Sequence, residues 1–110
     1  MGDIDFSKRA EQSLESLKQA LIKAEEDADF EVEDAGGAIH ISFEDPPARF
    51  VVSPNSAVHQ IWISAQSTSF KLDWSADKND FVLAKTGEGL KPLMARLVNE
   101  QSGGGNVRLT

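Results

Sequence analysis

The chain contains no cysteine. That absence excludes disulfides, thiolate metal cages and cysteine nucleophiles, so the core must form without covalent staples. No apolar run approaches the ~20 residues that a membrane helix needs. The opening segment MGDIDFSKRAEQS has neither the apolar core of a signal peptide nor the acid-poor character of a transit segment, and the expected location is the cytoplasm. Also missing are a glycine-rich phosphate loop after a strand, a nucleophile elbow, an HExxH pair and a histidine placed to activate a serine. An enzyme is therefore not expected. The 110 residues leave room for one domain, 1–110, and exclude a machine with separate cofactor and substrate domains. With 40% hydrophobic and 26% charged residues the composition is that of a globular protein. A chain of this length buries roughly two-thirds of the surface its unfolded form exposes.

The net charge of -7 is unevenly spread. Residues 1–34 hold 11 acids and 4 bases, whereas residues 35–110 hold 7 of each. The excess thickens between Glu25 and Asp34, where seven of ten residues are acidic and none is basic. Nucleic acid is excluded as the expected partner, because its phosphates require basic residues to displace their counterions. A cation or a basic protein surface fits instead.

Phe6, Ala10, Leu14, Leu17, Leu21 and Ala24 recur in steps of four and three, which predicts a helix over about 4–26. Its solvent side carries Glu11, Glu15, Lys18, Ile22, Glu25 and Glu26, an acidic ridge interrupted by a lysine and an isoleucine. The period then drops to two: Phe30 and Val32 alternate with Asp29, Glu31 and Glu33, as in a half-buried strand. Gly36 and Gly37 supply a tight turn. That turn pairs Val32 with Ile41 and Phe30 with Phe43 on the core side, leaving Glu33 opposite His40 and Glu31 opposite Ser42 outside. A one-residue slip would bury the carboxylates.

Asp45, Pro46 and Pro47 break the second strand; a third runs from Arg49 to Ser53, followed by a loop at Pro54, Asn55 and Ser56. Val58 to Ser64 alternates again, with Ile61 and Ile63 inward and Gln60, Trp62 and Ser64 outward. His59 is expected on the inward side near the strand's end, in a structural role. Phe70, Leu72 and Trp74 share the core side of the next strand, with Lys71 and Asp73 outside, and Phe81 to Ala84 form a short last one. Leu90, Leu93, Met94, Leu97 and Val98 then mark a second helix, with Pro92 tolerable in its first turn. Gly103 to Gly105 ends it, and Val107 and Leu109 are placed to pack back. The order predicts an α+β two-layer sandwich, with both terminal helices on one face of a mainly antiparallel sheet of five to six strands.

Surface helices commonly carry a solvated charged face, and the ridge admits that reading. Two features favour a site. The acids of the helix end and the first strand are neighbours in sequence, and so many like charges repel unless something positive neutralises them. Exposed oxygen ligands suit a hard cation held weakly and exchangeably. His40 opposite Glu33 is a mixed ligand pair or a plain ion pair. An outward Trp62 flanked by Gln60 and Ser64 is an interface anchor or a ring covered by a loop, with Lys71 able to supply a polar rim.

The chain resembles the frataxin family, particularly its bacterial members, over nearly its whole length. The resemblance lies in Gly36 and Gly37 leading into the second strand, in His59, Gln60, Ile61, Trp62, Ile63 and Ser64, in Leu72, Asp73 and Trp74, and in Thr86 and Gly87 through Leu90. It implies a sandwich of two helices and one sheet, and an iron-binding role in iron-sulfur cluster assembly. The protein would serve as iron donor or as regulator of the cysteine desulfurase and its scaffold protein. The family's acidic iron ridge carries over to Glu11, Glu25, Glu26, Asp27, Asp29, Glu31 and Glu33, with Glu15 on the same helix face. The scaffold-binding sheet surface carries over to Gln60 and Trp62, with Ser64 beside them and Lys71 at a position where some relatives place a basic contact. The expected cofactor is iron, Fe2+ or Fe3+, on surface carboxylates of a monomer that iron can assemble into oligomers.

The chain departs from the family in having Gln19, Ile22 and Lys23 where relatives place further acids, and Ser53, Pro54 and Ala57 in the loop before the tryptophan strand. Two other readings remain beside the first: an iron-oxidising storage protein, and an adaptor whose acidic face binds protein without metal.

Overall fold

The computed structural model describes residues 2–26, 28, 30–44, 47–101 and 107–109. Asp27 and Asp29 of the expected ridge lie outside them, as do Asp45 and Pro46 of the expected break and the glycines 103–105.

The stripe of apolar residues from Phe6 becomes one face of helix α1 (Asp3–Glu25), whose Phe6, Ala10, Leu14, Leu17 and Leu21 are all buried. Six strands follow: β1 (Phe30–Ala35), β2 (Ala38–Glu44), β3 (Pro47–Asn55), β4 (Gln60–Ala65), β5 (Thr68–Ser75) and β6 (Asp80–Val82). Each pairs antiparallel with its chain neighbour in the order β1-β2-β3-β4-β5-β6. Helix α2 (Leu90–Gln101) closes the layer, burying Leu90, Leu93, Met94, Leu97 and Val98. Pro92 sits in its first turn, where a missing N–H costs nothing. The fold is the expected α+β sandwich. Among the described residues no helix is long and apolar enough to cross a membrane.

The core lies between the inner sheet face and the two helices. Phe50, Ile61, Ile63 and Leu72 meet it from the strands, Leu17 and Leu21 from α1, and Met94 and Leu97 from α2. Each such side chain contributes roughly 1.5–3 kcal/mol by leaving water. The tail packs back as expected: Leu109 is buried, and Asn99 clasps Val107 through two hydrogen bonds of 2.8 and 3.0 Å.

The first hairpin adopts the register read from Gly36 and Gly37, with Phe30 against Phe43 and Glu33 against His40. Both glycines have positive φ, 61° and 83°, as a two-residue turn matching strand twist requires.

Several strand boundaries and the burial of Trp74 differ from the sequence reading. Strand β3 opens at Pro47, paired with Glu44, and not at Arg49, so this proline begins a strand where a break was expected. Strand β3 does not stop at Ser53 but continues through Pro54 and Asn55, paired with Ile61 and Gln60. The proline is tolerated because the β2 ladder has ended at Val52. Strand β4 starts at Gln60 rather than Val58, since His59 turns with φ 53° and stacks its ring on Phe6 at 5.1 Å. The last strand ends at Val82, not Ala84, because Leu83 begins a loop that closes on itself through Leu83 N–H to Glu88 O and Gly87 N–H to Leu83 O. Trp74 is only half-buried: it meets Phe81 edge-on at 5.2 Å, and Arg9 lies 4.4 Å above its ring.

The loop before α2 is pinned by charge. Arg96 donates from Nε and Nη2 to both oxygens of Glu88, at 2.8 and 2.9 Å, and from Nη1 to Glu100 at 3.0 Å. The Arg96 hydrogen bond holds the Glu88 carboxyl below its ordinary pKa, assisted by a hydrogen bond from Thr86. The Thr86-Gly87-Glu88 segment is thus a structural clamp at the start of the helix.

Candidate functional site: an acidic edge and an open sheet face

The acidic residues gather along one side of the molecule, where α1 flanks the edge strand β1. Glu11 and Glu15 are exposed on α1 and rim a groove of about 470 Å³ floored by Phe6, Ala10, Leu14 and Ile39. Glu15 accepts a 3.0 Å hydrogen bond from Gln19 one turn on. At the far side of that groove Lys18 pairs with Asp34 at 3.1 Å, so this stretch is partly neutralised from within.

Toward the end of α1 the carboxylates serve two purposes. Glu25 is half-buried and accepts the backbone N–H of Val32 at 2.8 Å, joining helix to edge strand. Glu31 shares a second groove with Glu25, Ser42 and Glu44. Glu44 is an addition to the candidates read from the sequence; the alternation that sends Ser42 outward sends Glu44 the same way. Glu26 and Glu33 are exposed, just past the helix end and on β1. Glu33 stands opposite His40 in register, yet no hydrogen bond or ion pair joins them among the described residues.

The donor set is carboxylate oxygen in water, which fits a hard cation carried as cargo. It is not gathered: among the described residues no three His, Asp or Glu side chains cluster closely enough to form a ready metal site. The geometry is that of an extended anionic strip.

The outer sheet face is differently built. Trp62 is half-buried, and its indole Nε1 donates to Gln60 Oε1 at 2.9 Å. Gln60 in turn donates from Nε2 to Asp73 Oδ1 at 3.0 Å, across the Gln60–Asp73 register pair. Lys71, opposite Trp62, holds its ammonium 4.9 Å from the ring centroid. Cross-strand pairing thus fixes a line of Asp73, Gln60, Trp62 and Lys71, with exposed Ser64 at its end. The covering of Trp62 comes from its own sheet neighbours, and the ring's orientation is set before any partner arrives. Asp73 joins the face through a register that the sequence did not announce.

A model of the Frataxin-like domain matches residues 1–104. The iron-sulfur cluster assembly protein CyaY of Thioalkalivibrio sulfidiphilus (strain HL-EbGR7) is 28% identical over 103 residues, spanning 94% of this chain and 95% of that protein. Among solved structures, the frataxin from Psychromonas ingrahamii superposes with a TM-score of 0.84 over 100% of this chain and 99% of its own. At 17% identity that likeness shows the shared fold.

Proposed function

The chain belongs to the frataxin-like family, and on that premise we propose that it is an iron-binding protein of cytoplasmic iron-sulfur cluster assembly. It acts as iron donor to, or regulator of, a cysteine desulfurase and its scaffold protein. The curated relative's role in iron-sulfur cluster assembly supports the process. The observation that carries the reading is the strip of exposed carboxylates, Glu11, Glu15, Glu26, Glu31 and Glu33, on the same small domain as a rigidly held Trp62 face. The strip suits a basic desulfurase surface, and the tryptophan face suits the scaffold.

Iron is cargo in this reading, held by one or two carboxylates at a time and released readily. The role is binding and not catalysis; a ferroxidase would turn over with oxygen, whereas stoichiometric oxidation without turnover fits a carrier. Calorimetric titration of Fe(II) under anaerobic conditions tests the ligands. Neutralising Glu25, Glu26, Asp27, Asp29, Glu31 and Glu33 together should abolish binding, and unchanged affinity would remove these residues as ligands.

The wide spacing of the carboxylates favours a second reading, in which the strip recognises protein without metal. A pull-down with purified desulfurase and scaffold, with and without iron, separates the two. Salt-sensitive capture indifferent to iron would select the second.

A further inference from the structure

The opposite flank of α1 carries the reverse charge. There Arg9 and Ser13 of α1 face Trp74, Lys78 on the turn after β5, Asp80 at the start of β6, and Lys91 in the first turn of α2, around a cleft of about 400 Å³. Three cationic side chains from three separate elements converge on this cleft in a chain whose net charge is -7. Among the described residues neither Arg9 nor Lys91 has an ion-pair partner. Lys78 is anchored by donating to the Gly87 carbonyl oxygen at 2.7 Å, a neutral acceptor that leaves its charge uncompensated. Among the described residues lining the cleft the single carboxylate is Asp80, which turns one oxygen back to accept the Phe81 N–H at 2.8 Å. Like charges gathered with so little counter-charge repel one another, and a bound anion relieves that repulsion.

We propose that this cleft binds a compact phosphate-type oxyanion, inorganic phosphate or pyrophosphate. A guanidinium fork, two ammonium groups and a serine hydroxyl are donors matched to an ion with several strongly accepting oxygens. Trp74 does not offer a platform for a nucleobase, because Arg9 already covers one part of it at 4.4 Å and Phe81 meets it edge-on at 5.2 Å. A nucleotide therefore gains nothing over its phosphates. The site lies on the flank of α1 away from Glu11 and Glu15 and is independent of the acidic strip.

The test is an amide NMR titration of the full chain with pyrophosphate at constant ionic strength, with affinities from calorimetry. Saturable shifts should map to Arg9, Ser13, Trp74 and Lys91. The Arg9→Gln/Lys91→Gln variant should bind about tenfold more weakly, the size expected for lost charge-assisted hydrogen bonds. Lys91→Glu alone, at a lysine with no ion pair among the described residues, should weaken binding further than Lys91→Gln. An Arg49→Gln/Arg108→Gln control removes the same charge elsewhere and should bind as wild type. ADP should bind within about threefold of pyrophosphate. The proposal is overturned by absence of saturable shifts at millimolar pyrophosphate, by equal weakening in both double variants, or by ADP binding more than about tenfold tighter.

Discussion

Glu25 at the end of α1 and Val32 within β1 are joined by a 2.8 Å hydrogen bond from the Val32 amide to the Glu25 carboxylate. Strand β1 is the edge of the sheet, so an amide not used in pairing with β2 finds its acceptor on the helix. A carboxylate that reads as one member of a metal ridge is thus also a cover for a strand edge.

Replacing Glu25 by alanine should lower unfolding stability by about 1 kcal/mol, the cost of leaving a partly buried amide unmatched. Glu25→Gln keeps an acceptor oxygen and should stay close to wild type. Urea midpoints distinguish the two; equal losses would show that charge, not the hydrogen bond, is what matters. Iron affinity should fall in both variants.

The Glu88–Arg96 clamp makes stability depend on acid in a defined window. Glu88 has its pKa lowered from 4.5 on folding, chiefly by the Arg96 hydrogen bond. Its contribution is therefore fully present above the unfolded value and disappears as pH falls through the lower folded value, while Arg96 stays charged. Arg96→Met should cost on the order of 0.5–1 kcal/mol at neutral pH, a modest figure because both partners touch water. Melting curves across pH should show the gap to wild type constant down to about 4.5 and closing below it. A gap that persists at lower pH would assign the loss to packing.

Trp62→Ala should cost about 1 kcal/mol, well short of the ~3–5 kcal/mol of a core aromatic, because the ring is half in solvent. Scaffold binding should drop far more than stability. A large fall in melting temperature would show that the ring serves the fold and not a partner.

Lys18→Gln should release Asp34 from its 3.1 Å ion pair and leave the strip one charge more negative. Fe(II) affinity should rise about two- to fivefold at low salt, as expected for an exposed charge, with the gain reversed by adding Asp34→Asn. No change would place the cation away from this end of α1.

Much of this architecture was legible in the residues themselves, wherever a strong local signal coincided with burial. The α1 stripe, the α2 stripe and the first hairpin followed from period and from Gly36 and Gly37, because only one register keeps Glu31 and Glu33 in water. The β4–β5 hairpin was silent by comparison. Its turn residues Gln66 and Ser67 adopt φ of 53° and 61° without a glycine to mark the place, so the alignment that brings Asp73 to Gln60 had no sequence flag. His59, also at positive φ, hid the true start of β4 in the same way. Trp74 packs against the core on the side that strand parity indicates, but parity does not tell how far the covering helix extends, and here Arg9 covers what apolar contact does not. For the acidic strip, the sequence indicated the exposure of Glu11, Glu15, Glu26, Glu31 and Glu33. It could not show that Glu25 is engaged with a backbone amide or that Lys18 answers Asp34, since both contacts depend on where α1 lies against β1.

The unbroken order of strands from β1 to β6 also bears on how the chain reaches its native state. Every sheet pairing joins segments adjacent along the backbone, so the whole sheet can zip from local hairpins with small loop-closure penalties. The encounters that must wait for distant parts to meet are those of α1 with later elements: its docking beside α2, Phe6 against Phe81 of β6, and Arg9 over Trp74 of β5. The kinetic barrier should lie there, and weakening Leu17 or Leu97 should slow refolding more than disturbing any turn.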